Sequence, residues 1–365
     1  MGGSFNHPGQ GFWRQRLTTG DSLPSGPGDG LRHPVRTVIV LAGLLCVCAC
    51  GRPAREVVVY TSVDQVFSEP VFRAFERESG IRVRAVFDTE ETKSTGVLNR
   101  LIAEAANTQA DVFWSGDPVR PFLLIKRGLV EPYASPQAKN LPPGLRAADG
   151  SWTGVAARAR VLLVNRKLVS PRETPRSIRD LADPSFKGKA AIANPLFGTT
   201  TMHVAALFAK WGEAPARAFL DAVKANGVRI ASSNGEVKRL VVAGEVAFGL
   251  TDTDDANEAR KEGADVEVVY PDRDELGTLV MPTAVVLMAK APHAEAGRKL
   301  VDYLLSADAE RQMGEAAAHM PLRPGVPTPP GVLAVSDIRA MDVDFARVAE
   351  QMEVIQPWLR QWAGL

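Results

Sequence analysis

Residues 56–87 read EVVVYTSVDQVFSEPVFRAFERESGIRVRAVF. Glu56 to Tyr60 is a short, nearly unbroken β-branched run, the pattern of a strand buried on both faces. Apolar Val71, Phe72 and Phe75 then recur at helical spacing between Glu69 and Glu78, and Ile81 to Phe87 returns to strand composition. Strand, helix, strand within about thirty residues is the βαβ unit, whose crossover is right-handed and whose strands are parallel. The texture continues C-terminally. Val97 to Ala106 reads as a helix, Ala110 to Trp114 (ADVFW) as a third strand, and Arg120 to Gly128 as a helix closed by its glycine, with Arg120 facing solvent. This is one α/β layer built on a parallel sheet.

Val155 to Asn165 (VAARARVLLVN) reads as a long strand, after which a second α/β unit begins. Beyond Pro-rich turns at Pro171, Pro175 and Pro184, strand and helix patterns alternate again. Strand composition returns over Lys189 to Ala193, a helix is predicted over Thr200 to Trp211, and a last long helix, Val343 to Trp362, carries Phe345, Val348, Met352, Ile355 and Leu359 on one stripe.

Upstream, Val38 to Cys50 (VIVLAGLLCVCAC) follows Arg32, His33 and Arg36. A basic flank and a short apolar run ending in small residues is an export signal, and about a dozen residues cannot cross roughly 30 Å of hydrocarbon as a helix. Residues 1–30 are Gly- and Pro-rich without periodicity, which suggests translation starting further in, near Leu31 or Val35. All three cysteines, Cys46, Cys48 and Cys50, lie in this leader, so the exported chain retains only Cys50 and its stability rests on a hydrophobic core. The remaining length, about 310 residues, suffices for two domains. A formal net charge of +1, with 45% hydrophobic and 23% charged residues, argues against a nucleic-acid partner.

In open α/β sheets, ligands sit at the carboxyl ends of strands and at the helix N-termini that follow. Six polar loops occupy such positions. They hold Ser62 and Asp64, Glu90 and Glu91, Ser115 and Asp117, Gly198 to Thr200, Asn234, and Thr251 to Asp255. If Asp64, Glu90, Glu91, Asp117, Asp252, Asp254 and Asp255 converge, the cleft is strongly anionic and suits a hard cation or an amine-bearing solute. The competing reading makes Asp64, Asp117 and Asp252 to Asp255 helix caps, Trp114 a core residue, and His203 a core or surface residue. Sequences for a nucleophilic elbow, a phosphate-binding Gly loop with Lys, or an HExxH metal helix are not found, so the chain is read as a non-enzyme.

The motifs YTSVDQ, ADVFWSGDP, GEVAFGLTDTDDANEARKEG and MPLRPGV, in this order, resemble the periplasmic solute-binding proteins of ABC importers, specifically the family around the ferric-ion-binding proteins. Val47 to Gly51 resembles a lipobox, which makes Cys50 the lipidation site, although Cys48 stands where a small residue is usual. The resemblance implies a two-lobed α/β periplasmic-binding-protein fold (type II), with the ligand cleft between lobes joined by crossing strands. It divides the chain into the extension and signal at 1–50, a first lobe from 51–155 with about 283–325, and a second from 156–282 with about 326–365. It also implies a monomer, tethered to the membrane by lipid at an extracytoplasmic face, partnered by an ABC permease and its ATPase, with no cofactor.

In that family, iron is held by a His, a Glu and two adjacent tyrosines. The corresponding positions here are Asp64, Gly116 with Asp117 beside it, and Thr253 to Asp255; the four tyrosines, Tyr60, Tyr133, Tyr270 and Tyr303, form no pair. The family's anion-binding part matches at Gly198, Thr199, Thr200 and Asn234. The implied ligand set is therefore Ser62, Asp64, Glu90, Ser115, Asp117, Gly198, Thr199, Thr200, Asn234, Thr251, Asp252 and Asp254, with Asp64, Asp254 and Asp255 for a metal. Ferric iron or another metal leads by resemblance. An organic anion such as a phosphonate or sugar phosphate is the alternative, followed by a ligand-loaded receptor sensor and a carboxylate-metal hydrolase.

Overall fold

The first strand, β1 (Glu56–Thr61), pairs in parallel with β2 (Arg82–Phe87) on one side and β3 (Val112–Ser115) on the other. Helix α1 (Gln65–Ser79) connects β1 to β2 and buries Val71, Phe72 and Phe75, the stripe expected from the sequence; it starts four residues earlier than the periodicity predicts. Helices α2 (Gly96–Ala103) and α3 (Val119–Ile125) flank β3. The computed structural model of the protein describes residues 55–88, 95–142 and 144–364. The export signal, Cys50, Glu90 and Glu91 lie outside the described residues, which all fall in one compact unit, Pro53–Leu365.

The parallel order expected for the first layer holds over β2, β1 and β3, and antiparallel strands join it. The sheet runs β2-β1-β3-β10-β5-β8-β6-β7, and the two long central strands, β5 (Thr153–Asn165) and β10 (Val280–Met288), run antiparallel to each other. One carries the chain outward and the other brings it back, so direct neighbours must oppose. Thr153, Gly154 and Ala157 to Ala159 of β5 pair with β10 across a register shift, while Arg160 to Val164 pair with β8 (Phe248–Asp252). The sheet therefore changes partner between Ala159 and Arg160. Short β4 (Val130–Glu131) and β11 (Met320–Pro321) extend the first half, and β9 (Val266–Val269) pairs with the far end of β5.

The second half is parallel where β6 (Ala190–Ala193) meets β7 (Arg229–Ala231) and β8. Helices α4 (Gly198–Trp211), α5 (Glu213–Ala225), α6 (Asn234–Val242) and α7 (Thr253–Lys261) surround it. Helices α8 (Ala294–Leu304) and α9 (Ala307–Ala317) return to the first half, α9 packing on α1. The last helix, α10 (Phe345–Ala363), packs its predicted stripe on both α4 and α3 and so touches elements of each half. No described helix is long and apolar enough to cross a membrane.

Candidate functional site

The carboxyl ends of β1, β6 and β8 and the starts of α4 and α6 surround one cavity of about 230 Å³. Ser62, Asp64, Arg158, Asn234, Asp252, Asp254 and Asp255 contribute to its walls, with Gly198, Thr199 and Thr200. A wider cavity of about 560 Å³ shares Ser62, Asp64, Asp254 and Asp255 with it. Among the described residues, no tyrosine or histidine lines either one.

Two arginines that the sequence reading passed over organise the site. Arg158 and Arg160 stand two apart on β5, hence on one face, astride the residue where the strand changes partner. Arg160 is fully buried; its Nη1 donates to Asp252 Oδ1 at 2.6 Å, to Thr199 Oγ1 at 3.0 Å and to Asn234 Oδ1 at 3.1 Å, while Nη2 reaches Thr200 Oγ1 at 3.2 Å. Asp252 Oδ2 in turn accepts from the Thr199 hydroxyl at 2.9 Å and the Asn234 amide at 3.1 Å. Thr199 and Asn234 are thus saturated within the protein. The groups left to meet an anion are Arg158 Nε and the first backbone amides of α4 and α6, which helix geometry leaves without intrahelical partners, except the Glu236 N–H, which donates to Ser233 Oγ. Gly198, at φ +59°, starts α4 in a conformation that a side chain would strain.

Arg158 Nη1 lies 3.0 Å from Asp254 Oδ2 and 3.4 Å from Asp252 Oδ2, and its Nη2 donates to the Gly116 carbonyl at 2.7 Å. Gly116 approaches Ser62 so closely that a Cβ would sit 2.9 Å from the Ser62 carbonyl oxygen, and its amide donates to the Ser62 hydroxyl. Burial pulls the Arg158 guanidinium down, but Asp254, Asp252 and Asp64 outweigh it and raise its pKa, so it stays charged. Three buried polar atoms here have no partner: Arg158 Nε, Arg160 Nε and Asp254 Oδ1. Burial first, then the charges of Asp254 and Asp252, pushes the Asp255 carboxyl up to about 8, although Thr251 donates to it. The strongly anionic cleft expected from the sequence is corrected: two guanidiniums compensate its carboxylates, and burial favours the protonated form of Asp255.

Three further expectations change. Asp117 does not line the cavity; its Oδ1 accepts from the Val119 and Arg120 amides and Oδ2 pairs with the Arg120 guanidinium. It is a cap, and Arg120, expected at the surface, is buried beside it because the pair removes the cost of burying either charge alone. Ser115 and Thr251 are fully buried behind the cavity wall, where Thr251 spends its hydroxyl on Asp255. His203 is a core residue, flanked by Ile192, Leu207 and Leu250, with no partner on either ring nitrogen; burial, then the charge of Arg160, lowers its pKa to about 3. Asp64 and Asp252 occupy N-cap positions of α1 and α7, but neither side chain caps, and both turn to the cavity. A cation count on the buried strand would have found the arginines: VAARARVLLVN cannot bury two guanidiniums unless acidic partners come from elsewhere.

The profile of bacterial extracellular solute-binding proteins matches residues 107–346. The chain belongs to that family. This solute-binding protein is 28% identical over 325 residues to Iron uptake protein A1 of Synechocystis sp., covering 83% of this chain and 88% of the relative. It is 26% identical over 336 residues to the "Putative 2-aminoethylphosphonate-binding periplasmic protein" of Salmonella typhimurium, covering 89% and 92%. Its fold matches that of iron-bound HitA from Pseudomonas aeruginosa with a TM-score of 0.77 at 21% identity, covering 84% of this chain and 99% of that one. Neighbours of this kind are two-lobed periplasmic binding proteins, and the family supplies the substrate-binding component of ABC importers. The named relatives are binding and uptake proteins rather than enzymes.

Proposed function

We propose that this solute-binding protein captures a small zwitterionic organic anion, of the aminoalkylphosphonate class, and hands it to an ABC permease from a lipid anchor on Cys50. The carrying observation is that one cavity holds two unlike ends. The first turns of α4 and α6 form an anion-favouring end, Asp254, with a buried oxygen lacking a partner, stands with Asp64 and Asp255 at the other, and Arg158 pairs with Asp254 beside them. An amine against Asp254 Oδ1 and a phosphonate at the helix starts would satisfy both. The name of the Salmonella relative supports this chemistry.

Ferric iron, the leading reading by resemblance, has one observation in its favour: carboxylate oxygens of Asp252, Asp254 and Asp255 lie within 4.8 Å of one another. Against it, the oxygens of Asp252 are engaged by Arg160, Thr199 and Asn234, and tyrosinate is not among the described cavity walls. Titration calorimetry of residues 51–365 with 2-aminoethylphosphonate, ethylphosphonate, inorganic phosphate and ferric citrate decides between them. Binding should be tightest for 2-aminoethylphosphonate and weaker without the amine. Saturable binding of ferric ion alone would overturn the reading. Lipidation is checked by acyl labelling, expected in the full chain and abolished by Cys50→Ala.

A further inference from the structure

We propose that Arg158 is a cation built into the chain which occupies the three-aspartate cluster of the cleft, and that this residue closes the site to free metal ions. The inference rests on the organic-ligand reading, and extends it by naming the residue that sets ligand class. Asp252, Asp254 and Asp255 present three carboxylate oxygens within 4.8 Å of one another, a spacing at which hard oxygen ligands share one ion. Left alone, Asp252 and Asp254 repel each other and, on top of burial, favour the protonated form of Asp255, and a metal ion would relieve that repulsion. Here the charge a metal would bring is already supplied, by Nη1 of Arg158 at 3.0 Å from Asp254 and 3.4 Å from Asp252.

The guanidinium is firmly held. Arg158 lies opposite Met281 in the antiparallel pairing of β5 with β10, and Nη2 donates to the Gly116 carbonyl in the loop after β3. A metal entering the cluster must therefore expel a guanidinium whose side chain is only 11% exposed, leaving it buried with one neutral carbonyl as partner. That cost is what excludes the ion. Arg158 does not consume the whole cluster, however. Asp254 Oδ1 and Arg158 Nε are both buried without partners, an acceptor and a donor in the same cluster. An amine and an anionic oxygen fit that pair, whereas a bare metal ion finds a positive charge in its way.

The test is terbium(III) luminescence titration of residues 51–365, wild type against Arg158→Gln and Arg158→Met, with Arg158→Lys as the charge-keeping control. Removing one close opposing charge should tighten terbium binding by on the order of 100-fold in both neutral variants. Arg158→Lys should show no gain, and adding Asp254→Asn to Arg158→Gln should cancel it. Cooperatively melting neutral variants that bind terbium no tighter than wild type overturn the inference. So does failure of both to fold, which would make Arg158 a structural residue. The companion titration with 2-aminoethylphosphonate separates the two claims. If wild type binds the solute and the variants gain no terbium, only the role of Arg158 falls. If wild type ignores the solute while the variants gain terbium, only the ligand reading falls. Tight terbium binding by wild type, lost in Asp254→Asn, overturns both.

Discussion

Asp117 and Asp252 occupy the same kind of place, just beyond or at the end of a sheet strand and just ahead of a helix, and each faces a buried arginine; yet they do different work. Asp117 meets Arg120 three residues on and caps the start of α3, the helix that carries Arg120, so every partner is local. Asp252 meets Arg160, 92 residues away, and gathers Thr199 and Asn234 from two further elements, without capping the helix it precedes. A local pair holds one helix start. A long-range pair ties β5, β8, α4 and α6 around the cavity, and beside it stand the unpartnered atoms of Arg158 and Asp254 that a ligand can use.

The comparison breaks most readily at Asp252. Asp252→Ala should cost about 3–5 kcal/mol in urea unfolding, because Arg160 would be left buried and uncompensated, and should abolish solute binding. Asp117→Asn keeps an oxygen for the α3 amides but leaves Arg120 buried without its opposite charge, so a loss of about 3 kcal/mol, the low end of that range, is expected, with solute affinity unchanged by calorimetry. Equal effects of the two on affinity would erase the distinction. Asn234→Ala should weaken solute binding by about 1–3 kcal/mol, since Arg160, Thr199 and Asp252 each lose a hydrogen bond next to the α6 amides; unchanged affinity would remove the network from the binding site.

Further effects follow from protonation. Asp255 titrates at about 8 in the native state and near 3.9 unfolded, so the native state carries an extra proton across that window. Its contribution is stabilising below about pH 4 and declines as pH rises through 8. Thermal melts from pH 5 to 9 should therefore fall more steeply for wild type than for Asp255→Asn, and parallel curves would show that Asp255 is not shifted. His203 has the opposite sign. Its native pKa of about 3, against about 6.5 unfolded, gives stability that is complete above pH 6.5 and lost on acidification. His203→Leu should move the acid-unfolding midpoint to lower pH, and an unmoved midpoint would place the acid sensitivity elsewhere.

Local sequence reported what depends on near neighbours. The run EVVVY, the Val71, Phe72 and Phe75 stripe of α1 and the stripe of α10 could be read because strand and helix periodicities repeat within a few residues. The polar loops at strand ends were equally legible, and Ser62, Asp64, Gly198, Thr199, Thr200, Asn234, Asp252, Asp254 and Asp255 do come together. The same reasoning could not separate Asp117 from Asp252, since both satisfy the helix-cap pattern. Nor could it anticipate that Arg158 and Arg160 oppose the carboxylates. By itself the sequence determined the α/β elements, their order and the pool of polar residues at their ends. Tertiary structure alone decided which charges neutralise one another, because a buried charge takes its partner from whatever the fold brings within a few ångströms, and for Arg158 and Arg160 the partner carboxylates lie more than ninety residues away.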